Sequence, residues 1–164
     1  MNEFEVETVR RPPGVRLIMR SNGELLITRE YRAELAAWDY RLPGGKVFDS
    51  FAEFAHCSDL NTAIRLAALR EAQEETGVIA RDVTPFAISS CGATVDWDLH
   101  YLVVDVDRCQ DVGAQHLELG ECIEVAWYPL AEVEHLILTG QVHEDRTAAV
   151  LLRFLRTERA GDSV

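Results

Sequence analysis

Three carboxylates crowd the segment Arg70-Glu71-Ala72-Gln73-Glu74-Glu75-Thr76-Gly77-Val78. On a helix, at about 100° per residue, Glu71, Glu74 and Glu75 fall within an arc of roughly 100° on one face. Like charges three and four positions apart destabilise a helix by roughly 0.2–0.5 kcal/mol per pair. The cluster also directly precedes Gly77, a natural helix terminator, so it stands at the negative end of the helix dipole, where carboxylates are disfavoured. Arg70, four positions before Glu74, offsets only part of this. A hard divalent cation, Mg²⁺ or Mn²⁺, reverses the sign of the arrangement, because such ions favour clustered carboxylate oxygens. On these nine residues alone, a solvated Glu-rich face stands equal to a metal site.

The surroundings tip that balance. Upstream, Leu42-Pro43-Gly44-Gly45 breaks regular structure, because Pro43 removes a donor and the glycines reach unusual dihedrals. Such a turn could bring a backbone carbonyl beside the helix. Downstream, Glu118-Leu119-Gly120-Glu121 forms an acidic loop just before a strand. Other chemistries find little support. The histidines at 56, 100, 116, 135 and 143 show no ligand or triad spacing and read as structural or surface residues. Ser89, Ser90 and Cys91 sit in no nucleophile motif such as G-x-S-x-G. Cys57, Cys91, Cys109 and Cys122 are scattered, which predicts buried or incidental thiols in a reducing compartment.

The elements that must position these residues follow from patterning. Val15–Met19 and Glu24–Thr28 are β-prone runs joined through Asn22-Gly23, a hairpin signal. Tyr31 to Tyr40 either continues a strand or bulges outward. Val47 to Asn61 carries no period and reads as an ordered surface insertion. A helix is predicted from about Asp59, its N-cap, to Thr76, with Leu60, Ile64, Ala67 and Ala68 as the apolar stripe and Gly77 just beyond the end. Strands are expected over Thr84–Ser90, Trp97–Val106 and Cys122–Trp127. Pro129 opens a helix that Gly140 ends, and Thr147, Val150, Leu151, Phe154 and Leu155 give a last helix its stripe.

Gly45 through Val78 resembles the signature box of the Nudix hydrolases, G-x5-E-x7-R-E-U-x-E-E-x-G-U with U aliphatic. Arg70 to Val78 fills its second half, with Ala72 a small occupant of the first U. Leu42-Pro43-Gly44-Gly45 supplies its start. Arg29-Glu30-Tyr31-Arg32, the stretch Glu121–Leu130 and the run Gly140–Thr147 resemble the ADP-ribose pyrophosphatase branch, and the similarity spans roughly residues 12–156. Two departures stand out. Gly45 and Arg70 are 25 positions apart where the box has 14, so 11 residues are inserted, at about 48–58. The box's earlier Glu falls on Thr62, with Asp59 or Glu53 as candidate replacements.

The resemblance implies an α/β fold, the Nudix α/β/α sandwich with a mixed β-sheet between helices, in one domain over 1–164. It implies hydrolysis of a nucleoside diphosphate linked to another moiety, ADP-ribose to AMP and ribose 5-phosphate first among them, dependent on Mg²⁺ or Mn²⁺. Glu71 and Glu75 would be the principal metal ligands, Glu74 a second-rank one, and the Gly44 carbonyl part of the inner shell. A loop carboxylate would accept the water's proton, Glu121 first and Glu118 second. Arg29, Arg32 and Arg41 could clamp phosphates, Arg41 standing where the branch more usually has Glu. Trp38, Tyr31 and Tyr40 could stack on a purine. The alternatives are another nucleotide sugar, a dinucleotide or a nucleoside triphosphate as substrate, or a non-hydrolytic nucleotide sensor.

Composition bounds these readings. The 164 residues suit one domain with a sizeable core, and 48% apolar with 27% charged residues is a globular balance. Sixteen Lys+Arg against 28 Asp+Glu leave a net charge of −12 with no basic stripe, which argues against a nucleic-acid partner or an anionic membrane. The acidic N-terminus lacks an apolar signal region, and the apolar runs fall short of the ~20 residues of a membrane span. A cytoplasmic protein with a small-molecule nucleotide substrate is expected, and a homodimer is in keeping with the branch.

Overall fold

Asn22 and Gly23 use the dihedral freedom that marks them in the sequence. Their φ values are 50° and 76°, and they close an antiparallel hairpin between the strands Gly14–Ser21 and Glu24–Arg32. In this computed structural model, which describes residues 7–33, 36–92, 94–111, 113–117 and 120–161, the strands are β1 (Val9–Arg10), β2 (Gly14–Ser21), β3 (Glu24–Arg32), β4 (Ala37–Arg41), β5 (Thr84–Ser89), β6 (Val95–Asp96), β7 (Leu99–Asp105) and β8 (Ile123–Pro129). The helices are α1 (Phe51–Ala55), α2 (Leu60–Thr76), α3 (Leu130–Leu138) and α4 (Asp145–Gly161).

β2 is central. It runs parallel to β7 from Gly14↔Leu99 to Arg20↔Asp105, and β5 adds antiparallel to β7 with a register shift between Pro85 and Ala87. On its other side β2 meets only the start of β3, over Met19–Ser21. β3 then diverges. Thr28–Arg32 pairs with β4, while β8 covers the opposite edge of β3 from Glu24 to Glu30. The result is a mixed sheet.

Period-two alternation sorts the side chains of this sheet into two cores. Val15, Leu17, Met19, Leu26, Leu102 and Val104 meet Ile64, Ala67, Ala68 and Ala72 of α2. Ile18, Leu25, Ile27, Leu99, Tyr101 and Val103 meet Val133, Leu136 and Ile137 of α3 and Val150, Leu151, Phe154 and Leu155 of α4. The α/β/α sandwich and the mixed sheet are as expected, and so are the bounds of α2 and the stripe of α4. Small alanines at 67, 68 and 72 let α2 lie close on the sheet.

Two details differ from the sequence reading, and two alternatives it left open are decided. The unpatterned stretch 47–61 contains α1, capped by the Ser50 hydroxyl, which accepts from Glu53 N–H, and by Glu53, which accepts from Asp49 N–H at 3.1 Å. No residue of α1 is buried, so it has no apolar stripe to betray it. β1 and β6 form a two-residue parallel pair, too short to leave a pattern. Between Tyr31 and Tyr40 the chain both continues β3 and opens β4, with Ala36 at φ 49° near the turn. Cys91, Cys109 and Cys122 are exposed and Cys57 is half-buried, so of the two alternatives the buried one does not hold. Among the described residues, no helix is long and apolar enough to cross a membrane.

Candidate active site

The wedge opened where β3 leaves β2 is filled by the Pro43–Lys46 turn. Leu17 N–H donates to the Pro43 carbonyl at 2.8 Å, Val15 N–H to the Gly45 carbonyl at 2.9 Å, and Val47 N–H to the Pro13 carbonyl at 3.0 Å. Gly44 holds φ at 147°, and a Cβ there would overlap the Val15 carbonyl, so the position requires glycine. A Cβ on Gly45 would lie 2.5 Å from a carboxylate oxygen of Glu71. The turn therefore presses bare backbone against the end of α2.

α2 brings two of its three carboxylates to that contact. Glu71 is 9% exposed, and Glu75 accepts the Gly44 N–H at 2.7 Å. Burial raises the Glu75 carboxyl to about 8; the Gly44 N–H and Arg16 pull it down, and the charges of Glu71 and Glu121 push it up. Burial likewise raises Glu71, against the pull of Arg70 and with the push of Glu74 and Glu121. Arg70 donates to Glu71 at 2.9 Å and to the Lys46 carbonyl at 3.0 Å, tying helix to turn. Glu74 turns aside to Arg70, 3.5 Å away, with its side chain 44% exposed.

Glu71, buried, and Glu75, half-buried, put two carboxylates whose charged forms are disfavoured one helical turn apart, an arrangement that a cation would relieve. Among the described residues no three His, Cys, Asp or Glu side chains close on one point. The oxygens that could serve a cation there are those of Glu71 and Glu75 and the Gly44 carbonyl, which accepts no hydrogen bond from the described residues while those of Pro43 and Gly45 are used by β2. Such a sparse oxygen set fits Mg²⁺, which keeps waters and takes one or two carboxylates plus substrate phosphates.

Of the acidic loop's two carboxylates, Glu121 alone is described. The charge of Glu121 acts on both Glu71 and Glu75, whereas Glu118 lies outside the described residues. The candidate replacements for the box's earlier Glu are engaged elsewhere. Asp59 caps α2, accepting from Thr62 N–H at 3.1 Å and from the Thr62 hydroxyl at 2.6 Å, and these bonds lower its pKa. Glu53 caps α1. Asp59 stands twelve residues before Glu71, about 18 Å along a helix.

The substrate-binding candidates do not form one cluster. Register with β4 puts Arg32 and Arg41 on the α2 face of the hairpin, where both bond Glu30 at 3.0 Å and Arg41 lies 3.6 Å from Asp39. Arg29 and Trp38 stand on the opposite face with Tyr31 and Tyr40. Arg29 stacks 4.4 Å from the Trp38 ring centre and pairs with Glu124 at 2.7 Å, and Tyr31 meets Trp38 edge-on. One phosphate cannot be held by all three arginines at once.

A neighbouring network escaped the sequence reading. Buried Arg16 donates to Glu144 through Nε at 3.1 Å and Nη2 at 3.4 Å, and Glu144 also accepts from Thr147 at 2.6 Å. Asp39, 4% exposed, accepts from His143 N–H at 3.0 Å and meets its Nδ1 at 2.9 Å. These contacts seat the start of α4 against β2 and β4. The only sequence signal was the Gly140–Thr147 run itself; Arg16, inside a β-prone stretch, gave none.

The sequence profile of the NUDIX domain family matches residues 10–150. Among solved structures, the crystal structure of an ADP compounds hydrolase superposes with a TM-score of 0.66 at 22% identity, covering 93% of this chain and 77% of that one. No curated protein matches the chain by sequence.

Proposed function

The chain belongs to the Nudix family, and from that membership we propose that it hydrolyses a nucleoside diphosphate linked to another moiety, with ADP-ribose plus water giving AMP and ribose 5-phosphate. The observation that carries this reading is the Glu71–Glu75 pair, one carboxylate buried and one half-buried, pressed against Gly44 and Gly45. Its likeness to the ADP compounds hydrolase supports the choice of substrate.

Glu71, Glu75 and the Gly44 carbonyl would hold the divalent cation, with Glu74 able to join on leaving Arg70. When bound, the cation neutralises charge that builds up on the phosphoryl oxygens. Arg70 fixes the Glu71 carboxylate between helix and turn. Glu121 takes the proton of the attacking water, and Glu118 is the second candidate. Arg32 and Arg41, on the α2 face, clamp the diphosphate by exchanging Glu30 for phosphate oxygens. Trp38, 37% exposed, is the purine-stacking candidate, reached from the side of these arginines only round the β4 edge of the sheet.

The test is phosphate-bond hydrolysis across a panel of nucleoside diphosphate compounds with Mg²⁺ or Mn²⁺, for wild type and Glu75→Gln. Turnover of ADP-ribose above the rest, abolished by the substitution or by EDTA, is the expected result. Turnover of a different compound moves the substrate within the family. A nucleotide sensor is favoured by one observation, the use of Thr62 for capping where the box has a carboxylate. ADP-ribose binding with no turnover of any compound would replace the enzyme by that sensor.

A further inference from the structure

The last turn of α2 carries the site carboxylates, and the backbone carbonyls there lack intrahelical partners. Gly77, in the left-handed region at φ 73°, donates to the Gln73 carbonyl at 2.9 Å. Three further bonds come from the segment that leads to β8. His116 N–H donates to the Glu74 carbonyl at 2.8 Å, Gly113 N–H to the Gly77 carbonyl at 2.7 Å, and the Gln115 side chain, through Nε2, to the Glu75 carbonyl at 2.6 Å. The same Nε2 lies 3.4 Å from the Ile123 carbonyl. A carboxamide nitrogen has two hydrogens, enough for both acceptors. Ile123 opens β8 and stands two residues after Glu121.

We infer that Gln115 is a positioning residue for hydrolysis: its carboxamide ties the backbone of Glu75 to the start of β8 and so holds Glu121 beside the Glu71–Glu75 pair. The inference rests on the proposed role of Glu121 as acceptor of the water's proton. Gln115 is itself exposed and makes no contribution to either core. A bond of 2.6 Å to a main-chain carbonyl therefore acts on the placement of the loop, not on the packing of the sandwich. Because Gln115 reaches Glu75 through its backbone, the carboxylate of Glu75 keeps its own partner, Gly44 N–H.

The experiment compares wild type, Gln115→Met, Glu121→Gln and the double variant. Methionine keeps the length of the side chain and removes both hydrogens. Steady-state kinetics on ADP-ribose with Mg²⁺ are measured alongside amide hydrogen exchange at Gly113 and His116. Misplacing a reacting group costs on the order of tenfold or more in turnover. Gln115→Met is thus expected to lower kcat about tenfold with KM within about twofold, and to speed exchange at His116 by a similar factor. In the Glu121→Gln background the same substitution should cost less than about twofold, since residues acting as one unit are not additive. Unchanged exchange at His116 overturns the tie. Losses that multiply in the double variant overturn its action through Glu121. A wild type that hydrolyses no nucleoside diphosphate compound refutes the proposed function instead, and the exchange comparison still decides the tie.

Discussion

One methyl group on Gly45 would separate the proposed cation binding from folding. The position has no positive φ, so alanine is not strained there, yet its Cβ would lie 2.5 Å from the Glu71 carboxylate. Glu71 must move while the β2 hydrogen bonds can stay. Gly45→Ala is expected to weaken Mn²⁺ binding and kcat/KM by about 10–100-fold, the usual cost of disturbing a ligand's support, with thermal unfolding little changed. Calorimetric Mn²⁺ titration beside a circular-dichroism melt checks both halves. Glu144 gives a second prediction at this scale. Burial alone would raise its pKa, but Arg16 and the Thr147 hydroxyl outweigh burial and hold it below the usual carboxylate value of 4.5. The folded state therefore binds the proton less readily than the unfolded chain. The stabilisation is present above about pH 4.5 and is lost as pH falls through the folded value. Glu144→Gln should flatten the acid side of the stability–pH profile. It should also lower stability at pH 7 by about 3 kcal/mol, since it leaves Arg16 buried without its charge partner. Chemical denaturation at several pH values measures this.

At the scale of elements, α2 shows why the sequence was informative in some places and silent in others. Its start, stripe and stop were all legible, because Asp59, the apolar residues and Gly77 act through local backbone chemistry. What α2 is capped by at its far end was not, because Gln115 and His116 arrive from a different part of the chain. The same logic settles Asp59. Its carboxylate is engaged with Thr62, about 18 Å from the Glu71–Glu75 pair. Asp59→Ala is expected to destabilise the protein by about 1 kcal/mol, the loss of an N-cap, while kcat and the Mg²⁺ requirement stay as in wild type. A loss of Mg²⁺ dependence in that variant would return Asp59 to the metal site. The insertion behaves alike: α1 is held by its Ser50–Glu53 caps, which are local, but no residue of it is fully buried and it left no periodic signal.

In the whole molecule, β2 and β7 contribute side chains to both cores, Leu17 and Val104 to one and Ile18 and Tyr101 to the other. Neither core can come apart without exposing strands that the other needs. Leu17→Ala and Leu151→Ala, one on each side, should each cost about 3 kcal/mol. Each should lower Tm by roughly 6–12 °C for a chain of this size. Both are expected to leave a single unfolding transition, and calorimetry that resolved two transitions would show the cores to be independent. The sequence by itself determined the elements, the alternation that builds a sandwich, and the residue types able to bind a cation, because these depend on near neighbours along the chain. It also carried the family, through the spacing of Arg70 to Val78. Only the tertiary structure decided that Glu71 and Glu75 both reach the Gly44–Gly45 turn while Glu74 turns to Arg70, that Arg29 and Trp38 lie across the sheet from Arg32 and Arg41, and that Arg16 finds Glu144. Those outcomes depend on strand register and on which segments cross one another in space. A one-residue change of register moves a side chain to the other face without altering any local propensity.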